Sequence, residues 1–317
     1  MTSGTTKHTV FIDGEAGTTG LQVRDRLLAH PDIELISLDG DNRKDPDHRR
    51  RAMAEAEVVI LCLPDDAAIE AVQLAEGLDC TIIDASTAHR TAPDWVYGFP
   101  EMTPGQKEAI AAANRISNPG CYATGMIAMI RPLVAAGLIG ADAALTVPAI
   151  SGYTGGGKGL IGYMEKAQEA RHFAYALGLE HKHIPEVMMH AQLATKPVFM
   201  PMVGDFDCGM IVELPLTADV LQDGAGRADV LAAYQDHYAG ARFVRVFDID
   251  DAAGLTQEGY FAADSLKGSN DLEIHLFGND DGQMLVLARL DNLGKGASGA
   301  AVQNLNIRLG LDEATAL

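Results

Sequence analysis

Basic residues are scarce in this chain of 317 residues: 24 Lys and Arg stand against 44 Asp and Glu, a formal net charge of −20. A surface of that sign is poorly suited to nucleic acid or anionic lipid, since binding either one needs a basic face. Cysteine is scarcer still. The four residues Cys62, Cys80, Cys121 and Cys208 form no Cys-x-x-Cys pair, which argues against a disulfide framework or a zinc ribbon and fits a reducing cytoplasm. No apolar run approaches the roughly eighteen residues of a membrane span, and the polar residues 1–8 do not read as a signal peptide. The expectation is a protein that is neither exported nor membrane-bound. With 13 Pro, 47% hydrophobic and 21% charged residues, the rest is the composition of a folded protein of one large or two medium domains.

Residues 9–13, Thr-Val-Phe-Ile-Asp, lead into Gly14-Glu15-Ala-Gly17-Thr18-Thr19-Gly20, after which Leu21, Val23, Leu27 and Leu28 recur near helical spacing. That pattern predicts strand, glycine loop and helix, and the apolar stretch 33–38 completes a βαβ unit. Residues 58–63 and 81–84 lack polar alternation, as strands buried on both faces do. Strands alternating with helical stretches predict an α/β fold with a Rossmann-type, doubly wound nucleotide-binding domain over residues 1–117. From near Asn118 strands are expected over 144–150, 209–217, 241–246, 271–277 and 283–290, joined by longer Gly-rich connections. They predict a second α/β domain over 118–290. The last segment, helical from about Ala297, is expected to return to the first domain and complete it with residues 291–317.

The loop Gly14-x-x-Gly17-x-x-Gly20 stands where backbone N–H groups and a helix N-terminus can meet a pyrophosphate. Glu15 puts a carboxylate beside those phosphates, so its side chain must turn away. Some twenty residues on, the ribose-binding acid of an NAD enzyme would fall on Asp39, yet Arg43 and Lys44 supply charge for the 2′-phosphate of NADP. NADP is favoured, because adjacent cations in so acidic a chain need a reason. Cys121 follows Pro119-Gly120 and opens a helical stretch, where unsatisfied N–H groups stabilise a thiolate; the other cysteines lie in apolar or strand contexts and read as core.

In His181-Lys-His183-Ile-Pro185-Glu186, proline favours a loop, an imidazole can act as base toward Cys121, and Glu186 can orient the ring. Zinc on the His-x-His is the alternative, without further ligands at a familiar spacing. The stretch Ser151-Gly-Tyr-Thr-Gly-Gly-Gly-Lys158-Gly lacks the spacing of a triphosphatase loop and reads as a glycine-rich turn allowing close approach to a ligand. Arg90, after the strand at 81–84, is expected near the carboxyl edge of the sheet, with a planar fork suited to phosphate.

Taken in order, these motifs resemble those of the N-acetyl-γ-glutamyl-phosphate reductase family in its shorter form. The segments that carry the likeness are the Gly14–Gly20 loop, Ser117-Asn118-Pro-Gly-Cys121-Tyr-Ala-Thr-Gly125, the histidine motif, and Asp291-Asn292-Leu-Gly294-Lys295-Gly296-Ala-Ser-Gly near the end. The resemblance covers nearly the whole chain. It implies an NADPH-dependent reductase of an acyl phosphate with a fold related to aspartate-semialdehyde dehydrogenase, its second domain serving catalysis and dimerisation. It further implies Cys121 as nucleophile and a base from the histidine motif, His183 preferred to His181, with Glu186 beside it. By the same resemblance Asn292, Gly294, Lys295 and Gly296 are expected to form a second cofactor-contacting stretch, Asn118 and Lys158 are expected to join Arg90 around the substrate, and no metal is implied. A cytoplasmic homodimer or homotetramer is expected. On sequence alone two other readings stay open: a reductase of another acyl phosphate, aspartyl or aminoadipyl, and a non-enzymatic dinucleotide sensor, in which Cys121 would have no purpose.

Overall fold

Apolar runs that lack alternation become parallel strands in the computed structural model, which describes residues 7–166 and 170–317. The chain divides into two units. One comprises residues up to Pro100, Gly105–Pro119 and Ala297–Leu317; the other comprises Glu101–Pro104 and Gly120–Gly296.

The first unit holds β1 (His8–Asp13), α1 (Thr18–Leu28), β2 (Ile33–Ile36), α2 (Pro46–Glu55), β3 (Val58–Leu61), α3 (Asp65–Leu74), β4 (Thr81–Asp84), β5 (Val96–Tyr97), α4 (Gln106–Ala112) and β6 (Arg115–Ser117). Its six strands run parallel in the order β2-β1-β3-β4-β6-β5. Side chains alternate across each strand, so the sheet feeds two cores. Val10, Ile12, Val58, Ile60 and Ile83 pack on one face with Val23 and Leu27 of α1 and Ile110 of α4; Phe11, Val59, Leu61 and Ile82 pack on the other with Ala52 and Met53 of α2 and Ala68 and Ala71 of α3. The fold is the doubly wound α/β arrangement expected from the sequence. The first of these faces is completed by Ala301, Val302, Leu305 and Ile307 of the last helix.

The second unit holds α5 (Cys121–Ala135), β7 (Thr146–Gly152), α6 (Gly157–Lys166), β8 (His172–Ala174), α7 (Ile184–His190), β9 (Val198–Gly204), β10 (Met210–Leu216), α8 (Arg227–His237), β11 (Val244–Ile249), β12 (Leu272–Gly278) and β13 (Met284–Leu290); a π-helical turn over Gly294–Ser298 then leads into α9 (Gly299–Leu309). Its seven-stranded mixed sheet has the order β11-β12-β13-β10-β7-β9-β8. α5 comes down onto β10 at Gly125, where a Cβ would lie 2.6 Å from Cγ2 of Val212. Tyr234 and Tyr238 of α8 donate their hydroxyls to the carbonyls of Met129 and Ala128 in α5, each at 2.8 Å. Residues 101–104 are fixed in this unit by Glu101, whose carboxylate takes Lys295 Nζ at 2.8 Å on both oxygens, and by the Met102 carbonyl, 3.0 Å from His237 Nε2.

Two expectations change. The strand foreseen at 241–246 is β11, because Ala241 still closes a turn on Tyr238 after α8. β8 and β9 were not foreseen: Pro201 sits inside β9, and proline counts against a strand by removing a ladder donor, yet β9 pairs with β7 on one side and β8 on the other. Among the described residues no helix is long and apolar enough to cross a membrane.

Candidate active site

Cys121 is the first residue of α5 and Gly120 its N-cap, in extended conformation with no side chain of its own to offer. The cap comes from elsewhere: Oε2 of Glu186, a residue 1% exposed, accepts the Gly120 N–H at 3.1 Å. Cys121 is half-buried, and none of the four cysteines is joined in a disulfide. Burial pushes the Cys62 thiol up to about 12, with the Asp84 and Asp13 carboxylates adding to it, and raises Cys80 and Cys208 as well. These three therefore stay protonated near neutral pH.

The histidine motif was expected as a loop, but it runs from a turn at residues 181–183 into a helix from Ile184. His183 is the N-cap of α7 and Pro185 lies in the first turn, where a missing N–H has no helical partner to lose and the fixed φ suits the helix. That turn brings Glu186 inward. It also sets the tautomer of His181, whose Nδ1 accepts the His183 N–H at 3.1 Å while Nε2 lies 3.3 Å from the Tyr175 hydroxyl. A neutral ring that accepts at Nδ1 carries its proton on Nε2, so His181 donates toward Tyr175. The two imidazoles stand edge to face at 4.7 Å, and the Tyr122 ring lies 6.1 and 6.2 Å from them. Tyr175 stays a phenol: burial raises it well above its ordinary value, and the neighbouring Cys121 adds to the effect. Tyr122 and Tyr175 are the members of this group that sequence reasoning missed. The only signal for Tyr122 was its place beside Cys121; Tyr175 had none, because sequence separation says little about which loop residues meet.

In the first unit the glycine loop has the form of a phosphate cradle. Gly14 has φ +91°, and a Cβ on it would overlap the Cys62 carbonyl oxygen; a Cβ on Gly20 would overlap the carbonyl oxygen of Gly14. Gly17 is the N-cap of α1 and no side chain caps it, so the N–H groups of Thr18, Thr19 and Gly20 stand at an uncapped helix start. These residues fit a dinucleotide pyrophosphate. The carboxylate of Glu15 is turned aside between Arg24 and Arg43, 3.8 Å from the Nε of each. Arg24 was overlooked, though it stands one turn beyond Gly20 on the same helix face. Arg43 also donates Nε to the Leu38 carbonyl at 2.9 Å, and Arg43, Lys44 and Asp39 are all exposed.

The remaining expected residues are more dispersed. Arg90 is buried and donates Nε to the Asn118 carbonyl at 3.0 Å and Nη2 to that of Ala85 at 3.1 Å. Its neighbour His89 stacks on Trp95 and lies 2.6 Å through Nδ1 from the buried Asp84 carboxylate at the end of β4. The Asn118 amide donates to the Ala297 carbonyl at 2.9 Å and accepts from Asn304 at 3.2 Å. In the second unit Asn292 accepts the Gly209 N–H at 2.8 Å and donates to Thr154 Oγ1 at 3.1 Å, and Lys295 is buried against Glu101. Lys158 is exposed in the first turn of α6, so the glycine-rich stretch is a turn running into a helix.

Comparison with known proteins bears on both units. A profile described as "Semialdehyde dehydrogenase, NAD binding domain" matches residues 41–112, and one described as "Semialdehyde dehydrogenase, dimerisation domain" matches residues 121–292. The chain is 48% identical over 316 residues to N-acetyl-gamma-glutamyl-phosphate reductase 2 of Nostoc sp., covering 97% of this chain and 98% of that one. It is 50% identical over 311 residues to N-acetyl-gamma-glutamyl-phosphate reductase of Brucella suis, covering 96% and 99%. Among solved structures, aspartate semialdehyde dehydrogenase from Francisella tularensis shares the fold at a TM-score of 0.71 and 13% identity, covering 95% and 99% of the two chains. Aspartate semialdehyde dehydrogenase II from Vibrio cholerae does so at 0.69 and 13%, covering 96% and 99%.

Proposed function

The chain belongs to the N-acetyl-γ-glutamyl-phosphate reductase family, and from that premise we propose that Cys121, His183, His181 and Glu186 carry its reaction. The protein reduces N-acetyl-γ-glutamyl phosphate to N-acetylglutamate 5-semialdehyde with release of phosphate, a step of arginine biosynthesis, and NADPH is the reductant. The observation that carries the site assignment is the half-buried cysteine at the N-terminus of α5, its preceding N–H held by a buried carboxylate from the histidine motif.

Cys121, as thiolate, attacks the acyl carbonyl; the S–C bond forms and the C–O bond to phosphate breaks with its electron pair leaving on phosphate. Reduction of the resulting thioester is the chemistry that NADPH supplies when bound. His183 is the base in this reading, because the Nδ1 lone pair of His181 is already used by a backbone N–H. It lends a proton to the thioester oxygen as reduction turns that oxygen into a hydroxyl, and takes the same proton back as the C–S bond breaks and the thiolate is restored. His181, fixed as a donor at Nε2, and Tyr175 beside it orient substrate oxygens.

NADPH would rest with its pyrophosphate on Gly14, Gly17, Thr18, Thr19 and Gly20 and its 2′-phosphate toward Arg43 and Lys44, with the 294–296 turn as a further contact. Arg90, Asn118 and Lys158 complete the proposed substrate contacts. The catalytic and dimerisation role falls to the second unit, and the protein works as a homodimer or homotetramer in the cytoplasm. The test is NADP reduction in the reverse direction with N-acetylglutamate semialdehyde and phosphate, run beside Cys121→Ser. The wild type should turn over and the variant should bind NADPH without turnover; substantial activity in the variant would overturn covalent catalysis.

A further inference from the structure

The π-helical turn after β13 lays its main chain against the nucleophile. We infer that Gly296 is a positioning residue for Cys121: its bare α-carbon fixes where the backbone of the reactive cysteine sits. The inference rests on the assignment of Cys121 as nucleophile. A Cβ at position 296 would lie 2.8 Å from Cβ of Cys121, 3.2 Å from its Cα and 3.1 Å from the carbonyl oxygen of Asp291. The first of these is closer than real Cβ contacts come. The atoms it meets are not the end of a flexible side chain. Rotating χ1 of Cys121 swings Sγ but moves neither Cβ nor Cα, so a side chain at 296 is admitted only if a backbone shifts.

The turn is poorly able to yield. Asp291 takes the Leu293 N–H at 2.9 Å on one carboxylate oxygen, the Gly268 N–H at 2.7 Å on the other, and the Gly296 N–H at 3.0 Å on its carbonyl. Asn292 is tied to Gly209 and Thr154, and Lys295 is pinned by both oxygens of Glu101. Gly294 has no space either, since a Cβ there would overlap the carbonyl oxygen of Ser269. On the other side stands the opening turn of α5. Its first N–H groups lack intrahelical partners, and its cap is held by the Gly120 N–H to Glu186 at 3.1 Å and the Thr124 N–H to the Gly120 carbonyl at 2.8 Å. A methyl group at 296 therefore displaces the cysteine rather than the turn.

Family resemblance reads Gly296 as a cofactor contact, and the steric role predicts different behaviour. Gly296→Ala should lower kcat by about 10- to 100-fold, as misplacing a reacting group by about an ångström does. It should also shift the pH profile of Cys121 alkylation by iodoacetamide in the cofactor-free protein, a readout that loss of a cofactor contact alone does not move. Normal kcat and alkylation with weakened NADPH binding would overturn the inference. Should the alanine variant be too unstable for kinetics, a cycle of melting temperatures over Gly296→Ala and Cys121→Gly decides the matter. The alanine should cost less when Cβ of residue 121 is gone; equal cost in both backgrounds overturns the inference. Turnover by Cys121→Ser would refute the nucleophile assignment instead, and the cycle would still read the steric coupling.

Discussion

Removing the carboxylate of Glu186 should loosen the start of α5 and with it the cysteine. The bond at stake runs from the Gly120 N–H to Oε2 at 3.1 Å, in a place where Glu186 is 1% exposed. A hydrogen bond to a charged group contributes about 1.5–3 kcal/mol net, and a buried donor left without a partner forfeits its solvation too. Glu186→Ala should therefore lower stability by at least that amount, the void adding to it. Glu186→Gln keeps an oxygen at the same reach but removes the charge, and charge-assisted bonds are roughly twice as strong as neutral ones, so it should lose about half as much. With about 2–4 °C of melting temperature per kcal/mol for a unit of this size, alanine should melt roughly 3–12 °C lower and glutamine about half that. Calorimetry on the wild type and both variants, with kcat of the reverse reaction alongside, reads the effect, and kcat should fall in the same order. A glutamine variant as damaged as the alanine variant, or two variants that melt like the wild type, would refute the capping role.

The histidines should separate in kinetics: His183→Ala lowers kcat and removes the acidic limb of its pH profile, whereas His181→Ala mainly raises KM, and the reverse pattern would exchange their roles. Replacing Arg43 and Lys44 together by Ala should weaken NADPH binding by roughly 1–3 kcal/mol for each charge-assisted bond to the 2′-phosphate and leave NADH nearly unaffected; equal weakening of both in a binding titration would return Asp39 to the ribose. Glu213 on β10 is half-buried and burial raises its carboxyl above the ordinary 4.5, so its folded form is fully stable below that value and loses stability as pH rises through the raised one. Glu213→Gln should therefore melt higher than the wild type at about pH 8 and no higher at about pH 4, and a gain independent of pH would show the cause to be something other than ionisation.

Much of this could be read in advance where chemistry follows local order. The strands at 9–13, 58–63 and 81–84 are apolar on successive residues, which only a sheet covered on both faces tolerates, and the glycine loop between a strand and a helix leaves few alternatives. Cys121 was legible because Pro-Gly before it and small residues after it define a helix start. Less legible were features that depend on tertiary partners. Pro185 reads as a helix breaker until its place in the first turn is known, and Pro201 hides β9 for a similar reason. Glu186 reads as a partner for an imidazole three residues away, and its bond to Gly120, which spans the whole stretch between the two motifs, gave no sign of itself in the sequence. Tyr175 reaches its site only through the fold, whereas Arg24 could have been placed by its spacing from Gly20, and Gly296, legible as part of a motif, shows its closeness to Cys121 only in the fold.

The last helix gives the protein an unusual order of assembly. One face of the first sheet is closed by Ala301, Val302, Leu305 and Ile307 of α9, residues made only after the entire second unit has been synthesised. On the ribosome, β1 to β6 must wait with that face open while the second unit emerges and folds, since domains generally fold as units during synthesis. Exposed strands rich in Val and Ile are aggregation-prone in such an interval, and long-range closure slows folding. The nucleotide-binding unit begins first and finishes last, so substitutions in α9 should act on the yield of folded protein more than on the chemistry it performs.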